Sequence, residues 1–113
     1  MWLLDANMDV HLVAVLGDYG ITSDTAASRG WKALSNGDLV AEAVAAWFDC
    51  LLTQDRLFGE SASRALRSLP RFAVVVVCLP QQHWRPYRDR FMAGWADSPI
   101  QLVPGRLTLW PSN

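Results

Sequence analysis

The apolar residues of this chain alternate between short continuous runs and longer stretches with helical spacing. The clearest run is "RFAVVVVCLP", where β-branched residues between Arg71 and Pro80 predict a strand that is buried on both faces. Four further runs predict shorter strands: "MWLLDA", "ITSDTAA", "FDCLLTQ" and "GRLTLW". The segment "SRGWKALSNG" is polar and contains glycine, which predicts a loop.

Helical patterns lie between the predicted strands. Asp9 is expected to cap a first helix whose apolar face comprises Val10, Val13 and Leu16. A second helix is expected from Asn36, with one apolar stripe formed by Val40, Ala43, Val44 and Trp47. "SASRALRSLP" and the segment after Pro86 predict two more helices.

Strands and helices therefore alternate along the whole chain. This order predicts an α/β fold, a single three-layer domain over residues 1–113 with a central, mostly parallel sheet flanked by helices. The connections between parallel strands are expected to be right-handed. Binding groups in such sheets gather just beyond the carboxyl ends of the strands, and both Asp5 and Asp55 stand at the carboxyl ends of predicted strands.

Composition excludes several classes of protein. With a formal net charge of −1, the chain lacks the overall basic field of constitutive nucleic-acid binders, so any contact with a phosphodiester backbone has to be local or metal-mediated. Cys50 and Cys78 lie in apolar runs and are expected to be buried free thiols in a reducing compartment. The apolar start is too short for a signal sequence or a membrane span, which predicts a cytoplasmic protein without membrane contact.

Each acid taken alone has an ordinary structural explanation. Asp38, in the first turn of the second helix, is favoured there by the helix dipole, and Asp5 and Asp55 can bond to the turns that follow them. Three carboxylates on one edge of a sheet would instead raise one another's pKa unless a cation lay between them. Mg²⁺ or Mn²⁺, which prefers oxygen ligands, would relieve that repulsion.

Three motifs, in order, resemble those of PIN-like domains of the small stand-alone bacterial type. These are "LLDAN", where the family has "LLDEN"; "GWKALSNGDLVAEA", where it has a loop leading into "NGELL"; and "FDCLLTQD", where it has "FDVLLTxD". The valine-rich "PRFAVVVVCL" follows, so the resemblance extends from Trp2 to about Leu79.

The resemblance implies a metal-dependent ribonuclease, of the kind found as the toxin half of toxin–antitoxin pairs. Asp5, Asp38 and Asp55 then match the catalytic acids that bind Mg²⁺ or Mn²⁺. Asn7 is the polar neighbour of Asp5. Thr53 is expected to orient Asp55 through its hydroxyl group, and Arg56 to contact a phosphate of the RNA substrate.

Ala6 stands where the family usually has another acid. Glu60 is the nearest candidate for a fourth acid at the site. This departure leaves an alternative open, in which a catalytically weak or inactive PIN-like module acts through an antitoxin-like protein partner. The C-terminal aromatic residues Trp84, Tyr87, Phe91 and Trp95 have two readings: core packing, or the face of a homodimer or partner complex. A response-regulator receiver fits poorly, because the only lysine is Lys32, in a predicted loop.

Overall fold

The computed structural model describes residues 1–112, without the side chains at positions 59, 60, 62 and 63. Five strands alternate with four helices in these residues, as predicted. The strands are β1 (Trp2–Leu4), β2 (Ser23–Thr25), β3 (Cys50–Thr53), β4 (Ala73–Val77) and β5 (Leu107–Trp110); the helices are α1 (Leu12–Asp18), α2 (Asn36–Ala45), α3 (Phe58–Leu66) and α4 (Trp84–Asp97). The predicted Glu60 carboxylate lies outside the described side chains.

The strands form one sheet in the order β2-β1-β3-β4-β5, and every neighbouring pair is parallel. Every residue of the central strands β3 and β4 is buried. A strand covered on both faces has to be apolar at every position, which explains the continuous run at 73–77. The predicted α/β class and parallel sheet are confirmed.

Helices cover both faces of the sheet and make the fold three layers thick. Side chains of α1 and α4 pack on one face, against Leu4, Leu52 and Val75. Side chains of α2 and α3 pack on the other face, against Leu3, Leu51 and Val74. Successive strand residues alternate between the two cores, as the pleat of a strand requires. Both cores share one sheet, and this makes a single domain.

The connection through α4 has the opposite hand to the other three. The chain moves from β1 to β2 in one direction across the sheet and from β4 to β5 in the other, yet α1 and α4 lie on the same face. The connections therefore do not all have the same hand, and the expectation of uniformly right-handed connections is wrong. Among the described residues no helix follows β5, so α4 supplies the cover that the α1 face would otherwise lack.

The aromatic residues of α4 provide this cover. Tyr87 and Phe91 are buried, and Trp84 and Trp95 are half-buried against the same core. The Phe91 ring centroid lies 5.0 Å from that of Trp110 in β5. Packing against the sheet thus accounts for these four side chains, and the core reading of the C-terminal segment is confirmed.

Two helix ends differ from the predictions. The N-cap of α1 is His11, and Asp9 instead accepts a hydrogen bond from the His11 backbone N–H at 2.9 Å; Leu12 and Val15 are buried while Val10 is exposed. Trp47 does not belong to the apolar stripe of α2, because the helix ends at Ala45 and the Trp47 side chain is 89% exposed.

Both cysteines are free, as predicted, but Cys78, which was also expected to be buried, is not. Cys50 is buried and Cys78 is half-buried, and burial raises the pKa of the Cys50 thiol far above its usual range. A thiol in this state is a poor nucleophile. No helix among the described residues is both long and apolar enough to cross a membrane.

Candidate functional site

The candidate site lies at the carboxyl ends of β1 and β3, which are neighbours in the sheet. The chain leaves β1 towards α1 on one face and leaves β3 towards α3 on the other. Such a divergence opens a crevice at the edge of a parallel sheet, where ligands bind in open α/β folds. The backbone pairing extends to the first acid, since the Asp5 N–H donates to the Leu52 carbonyl oxygen at 2.9 Å.

The Thr53 side chain joins the two strand ends. Thr53 is the last residue of β3 and is fully buried. Its hydroxyl donates to Asp5 Oδ2 at 2.7 Å, and its Oγ1 accepts from Asn7 Nδ2 at 3.2 Å and from the Asp55 backbone N–H at 3.2 Å. Thr53 thus contacts the Asp55 backbone and orients the Asp5 carboxylate, whereas the sequence predicted that it would orient Asp55.

The remaining hydrogen bonds hold the acids in fixed turns. Asp5 Oδ1 accepts from the Ala6 N–H at 2.7 Å, and Asp55 Oδ1 accepts from the Leu57 N–H at 2.9 Å, just before α3 begins. Asn7 Oδ1 accepts from the Gln54 N–H at 3.0 Å, which links the two strand ends a second time. The turn-forming roles foreseen for these acids are therefore real, and a carboxylate has further lone pairs to offer to a ligand.

Asp38 and Arg56 are not part of this network. Asp38 is exposed in the first turn of α2, and its backbone N–H donates to the capping Ser35 Oγ at 3.3 Å. Because α2 connects the carboxyl end of β2 to the start of β3, its N-terminus lies on the same edge of the sheet as Asp5 and Asp55. Arg56 is exposed and forms no ion pair within the part of the chain that the structure describes.

Within residues 1–112, leaving out the undescribed side chains, no three His, Cys, Asp or Glu side chains lie close enough together to hold a metal ion. The donor chemistry nevertheless fits a hard cation. Mg²⁺ is usually bound through one or two carboxylates and keeps several of its waters. Asp5 and Asp55 offer two carboxylates on neighbouring strand ends, which is the number and type of ligand that such a site uses.

A polar cavity of about 230 Å³ adjoins these residues. Its walls carry Asn7, Asp9, Gln54, Gln81, Gln82 and Tyr87. Gln54 Nε2 donates to the Tyr87 hydroxyl oxygen at 3.1 Å, while Gln54 Oε1 is buried without a hydrogen-bond partner among the described residues. Burial raises the pKa of Tyr87 to about 12, so its hydroxyl stays protonated and can donate.

Sequence reasoning missed this cavity. Gln54 stands between two predicted site residues, and Gln81 and Gln82 follow the strongest predicted strand, so their position beyond strand ends was a usable signal. Tyr87 could not be found in this way. It reaches the cavity only because α4 crosses to the α1 face.

Compared with protein-family models, with curated proteins and with solved structures, the chain gives no match.

Proposed function

We propose that this protein is a PIN-like ribonuclease that uses Mg²⁺ or Mn²⁺ to hydrolyse phosphodiester bonds in RNA. The observation that carries the proposal is the Thr53 link, which holds Asp5 at the end of β1 beside the Asp55 turn at the end of β3. Buried hydrogen-bonding side chains that keep carboxylates in place are typical of metal sites, where outer groups orient the ligands.

Each residue has a separate role in this proposal. Asp5 and Asp55 hold the cation, Asp38 supports it from the start of α2, and Thr53 and Asn7 keep the two strand ends in register. When bound, the cation activates water and offsets the negative charge that develops on the phosphate. Arg56, exposed beside Asp55, is suited to contact a phosphate oxygen.

The polar cavity is suited to the neutral part of the substrate. Amide side chains and a protonated tyrosine offer both donors and acceptors, which match the edges of a nucleobase or the hydroxyl groups of a ribose. Single-stranded RNA exposes both, and the weak net charge of the chain agrees with local recognition of this kind.

Calorimetry with Mg²⁺ and Mn²⁺ tests the metal site first. The wild type is compared with Asp5→Asn and Asp55→Asn, and Asp97→Asn is the matched control because Asp97 is an exposed acid at the far end of α4. Saturable binding at millimolar metal or below should be lost in both site variants and kept in the control. A folded wild type that binds neither metal would contradict the metal site.

Cleavage of single-stranded RNA is measured next with the same variants. We expect metal-dependent cleavage that falls at least about 100-fold in Asp5→Asn and Asp55→Asn, the scale for removing a group that stabilises transition-state charge. Metal binding without cleavage of any RNA would contradict the proposed nuclease activity, and the protein would then be a metal-binding module.

A second candidate function is a catalytically inactive module that acts through an antitoxin-like partner. It is favoured by Ala6, which replaces an acid, and by the absence of Asp38 from the described hydrogen-bond network. Such a protein would keep its partner when Asp5, Asp38 and Asp55 are replaced by asparagine. Co-purification of a partner with the triple variant would therefore support this function over the enzyme.

A further inference from the structure

Trp47 occupies a backbone conformation that usually belongs to glycine. Its φ angle is +68°. The Trp47 N–H donates to the Val44 carbonyl oxygen at 3.1 Å, and the Phe48 N–H donates to that of Ala43 at 3.0 Å. This is a Schellman motif that ends α2, with tryptophan at the left-handed position. The left-handed conformation costs an L-residue about 1–2 kcal/mol.

Neither packing nor local propensity explains tryptophan at this position. The side chain is 89% exposed, so burial within the chain does not offset the strain. The helix end requires a left-handed residue at this position but not a tryptophan, and strain of this kind at a functional site is a reason to look for a function. A large exposed aromatic side chain is characteristic of the residues that dominate protein interfaces.

A cavity lies directly beside Trp47. It has a volume of about 430 Å³, and most of its lining residues are apolar: Val44, Trp47 itself, Phe48, Leu69, Pro70 and Phe72. The cavity lies where α2 ends and where β3 and β4 begin, at the edge of the sheet opposite to Asp5 and Asp55. Occupation of this cavity would leave the candidate site open.

We infer that Trp47 anchors a symmetric homodimer, in which the indole ring of each copy enters the cavity of the other. A two-fold axis brings the same patch of both copies together, so the patch has to be complementary to itself. An apolar side chain that projects beside an apolar cavity meets this condition, and a single patch then supplies both halves of the contact.

The charges at the rim are also self-complementary. Asp49 and Arg71 both line the cavity, and both are exposed. Asp49 Oδ2 bonds to the N-terminal ammonium group at 2.5 Å, which leaves its other oxygen available. Arg71 has no ion-pair partner within the described part of the chain. In the proposed dimer we expect Arg71 of one copy to pair with Asp49 of the other.

Sedimentation velocity from submicromolar to high-micromolar protein tests this dimer. We expect the wild type to dimerise reversibly, and Trp47→Ala to raise the dimer dissociation constant at least about tenfold, as for an interface hot spot. Leu57→Ala is the matched control, because Leu57 is 88% exposed but lies beside Asp55 at the opposite edge. It should dimerise like the wild type.

Charge reversal provides a second, independent measurement. Arg71→Asp should weaken the dimer, and Arg71→Asp combined with Asp49→Arg should restore it. Circular dichroism confirms that each variant is folded. A wild type that stays monomeric over the whole concentration range overturns the proposal, as does a folded Trp47→Ala variant that dimerises as strongly as the wild type. Neither outcome affects the metal-binding test.

Discussion

The hydroxyl group of Thr53 donates a hydrogen bond to the carboxylate of Asp5 at 2.7 Å, although the two residues are 48 positions apart in the sequence. This bond joins the ends of two neighbouring parallel strands. A fully buried hydroxyl needs a partner, and Thr53 satisfies that need by fixing an acid at the edge of the sheet. Stability and the proposed chemistry therefore depend on the same side chain.

Replacing Thr53 with valine removes the hydroxyl group and preserves the shape of the side chain. We expect the free energy of unfolding to fall by about 1–3 kcal/mol, because Asp5, Asn7 and the Asp55 N–H lose their common partner. Chemical denaturation measures this change. Thr53→Ser keeps the hydroxyl group and should retain most of the stability that Thr53→Val loses. Thr108→Val is the control and should change stability little, because no described hydrogen bond involves the Thr108 hydroxyl group. If Thr53→Ser lost as much stability as Thr53→Val, the loss would come from packing and not from the hydrogen bonds.

The raised pKa of Tyr87 predicts a loss of stability at alkaline pH. Its folded pKa is raised by burial from 10.0 to about 12, so above pH 10 the unfolded chain loses this proton first. Stability from this group is complete below pH 10 and declines as pH rises towards 12. Urea denaturation over this range should show a decline in the wild type that is smaller in Tyr87→Phe. Identical pH profiles for the two proteins would contradict the burial of an un-ionised Tyr87.

The lowered pKa of Asp24 predicts a loss of stability as the pH falls into the acid range. Hydrogen bonds from Ser28 and from Arg29, whose Nε lies 2.6 Å from Asp24 Oδ2, lower the pKa of this carboxyl below 3.8. Its contribution to stability is present above pH 3.8 and is lost as pH falls through the lower folded value. Asp24→Asn should be less stable than the wild type at neutral pH, and the difference should shrink in acid. Urea denaturation from neutral to acid pH measures both proteins, and a difference in stability that stays constant would contradict the prediction.

Trp47→Gly should stabilise the isolated chain. Glycine adopts the left-handed conformation without strain, so we expect a gain of about 1 kcal/mol in the free energy of unfolding. Thermal or chemical denaturation at low protein concentration measures it without a contribution from dimers. Trp47→Ala keeps the strain and should show no comparable gain. A loss of stability in Trp47→Gly would mean that the indole ring makes contacts that support the fold.

Much of the architecture was predictable because its causes are local. The run at 73–77 is apolar at every position, and a segment of this kind is stable only as a strand covered on both faces. Ser35 bonds to the Asp38 N–H at the start of α2, a cap of a type that sequence spacing indicates. The positions of Asp5 and Asp55 beyond strand ends followed from the same patterns.

The candidate site was only partly predictable, because sequence order does not state which strands are neighbours. Asp5 and the Asp55 turn meet through Thr53 because β1 pairs with β3, which comes two strands later in the chain. The family resemblance also assigned Asp38 to the site, yet no described side-chain contact joins Asp38 to Asp5 or Asp55. Its exposure at the start of α2 keeps its proposed role a prediction.

The sequence by itself determined the alternation of strands and helices, since hydrophobic periodicity and end signals act over a few residues. The tertiary structure alone decided three features: α4 on the α1 face, Tyr87 against Gln54, and Trp47 in solvent at a strained position. Each depends on how much surface the other elements leave uncovered. That quantity belongs to the packed chain as a whole and is not encoded in any one segment.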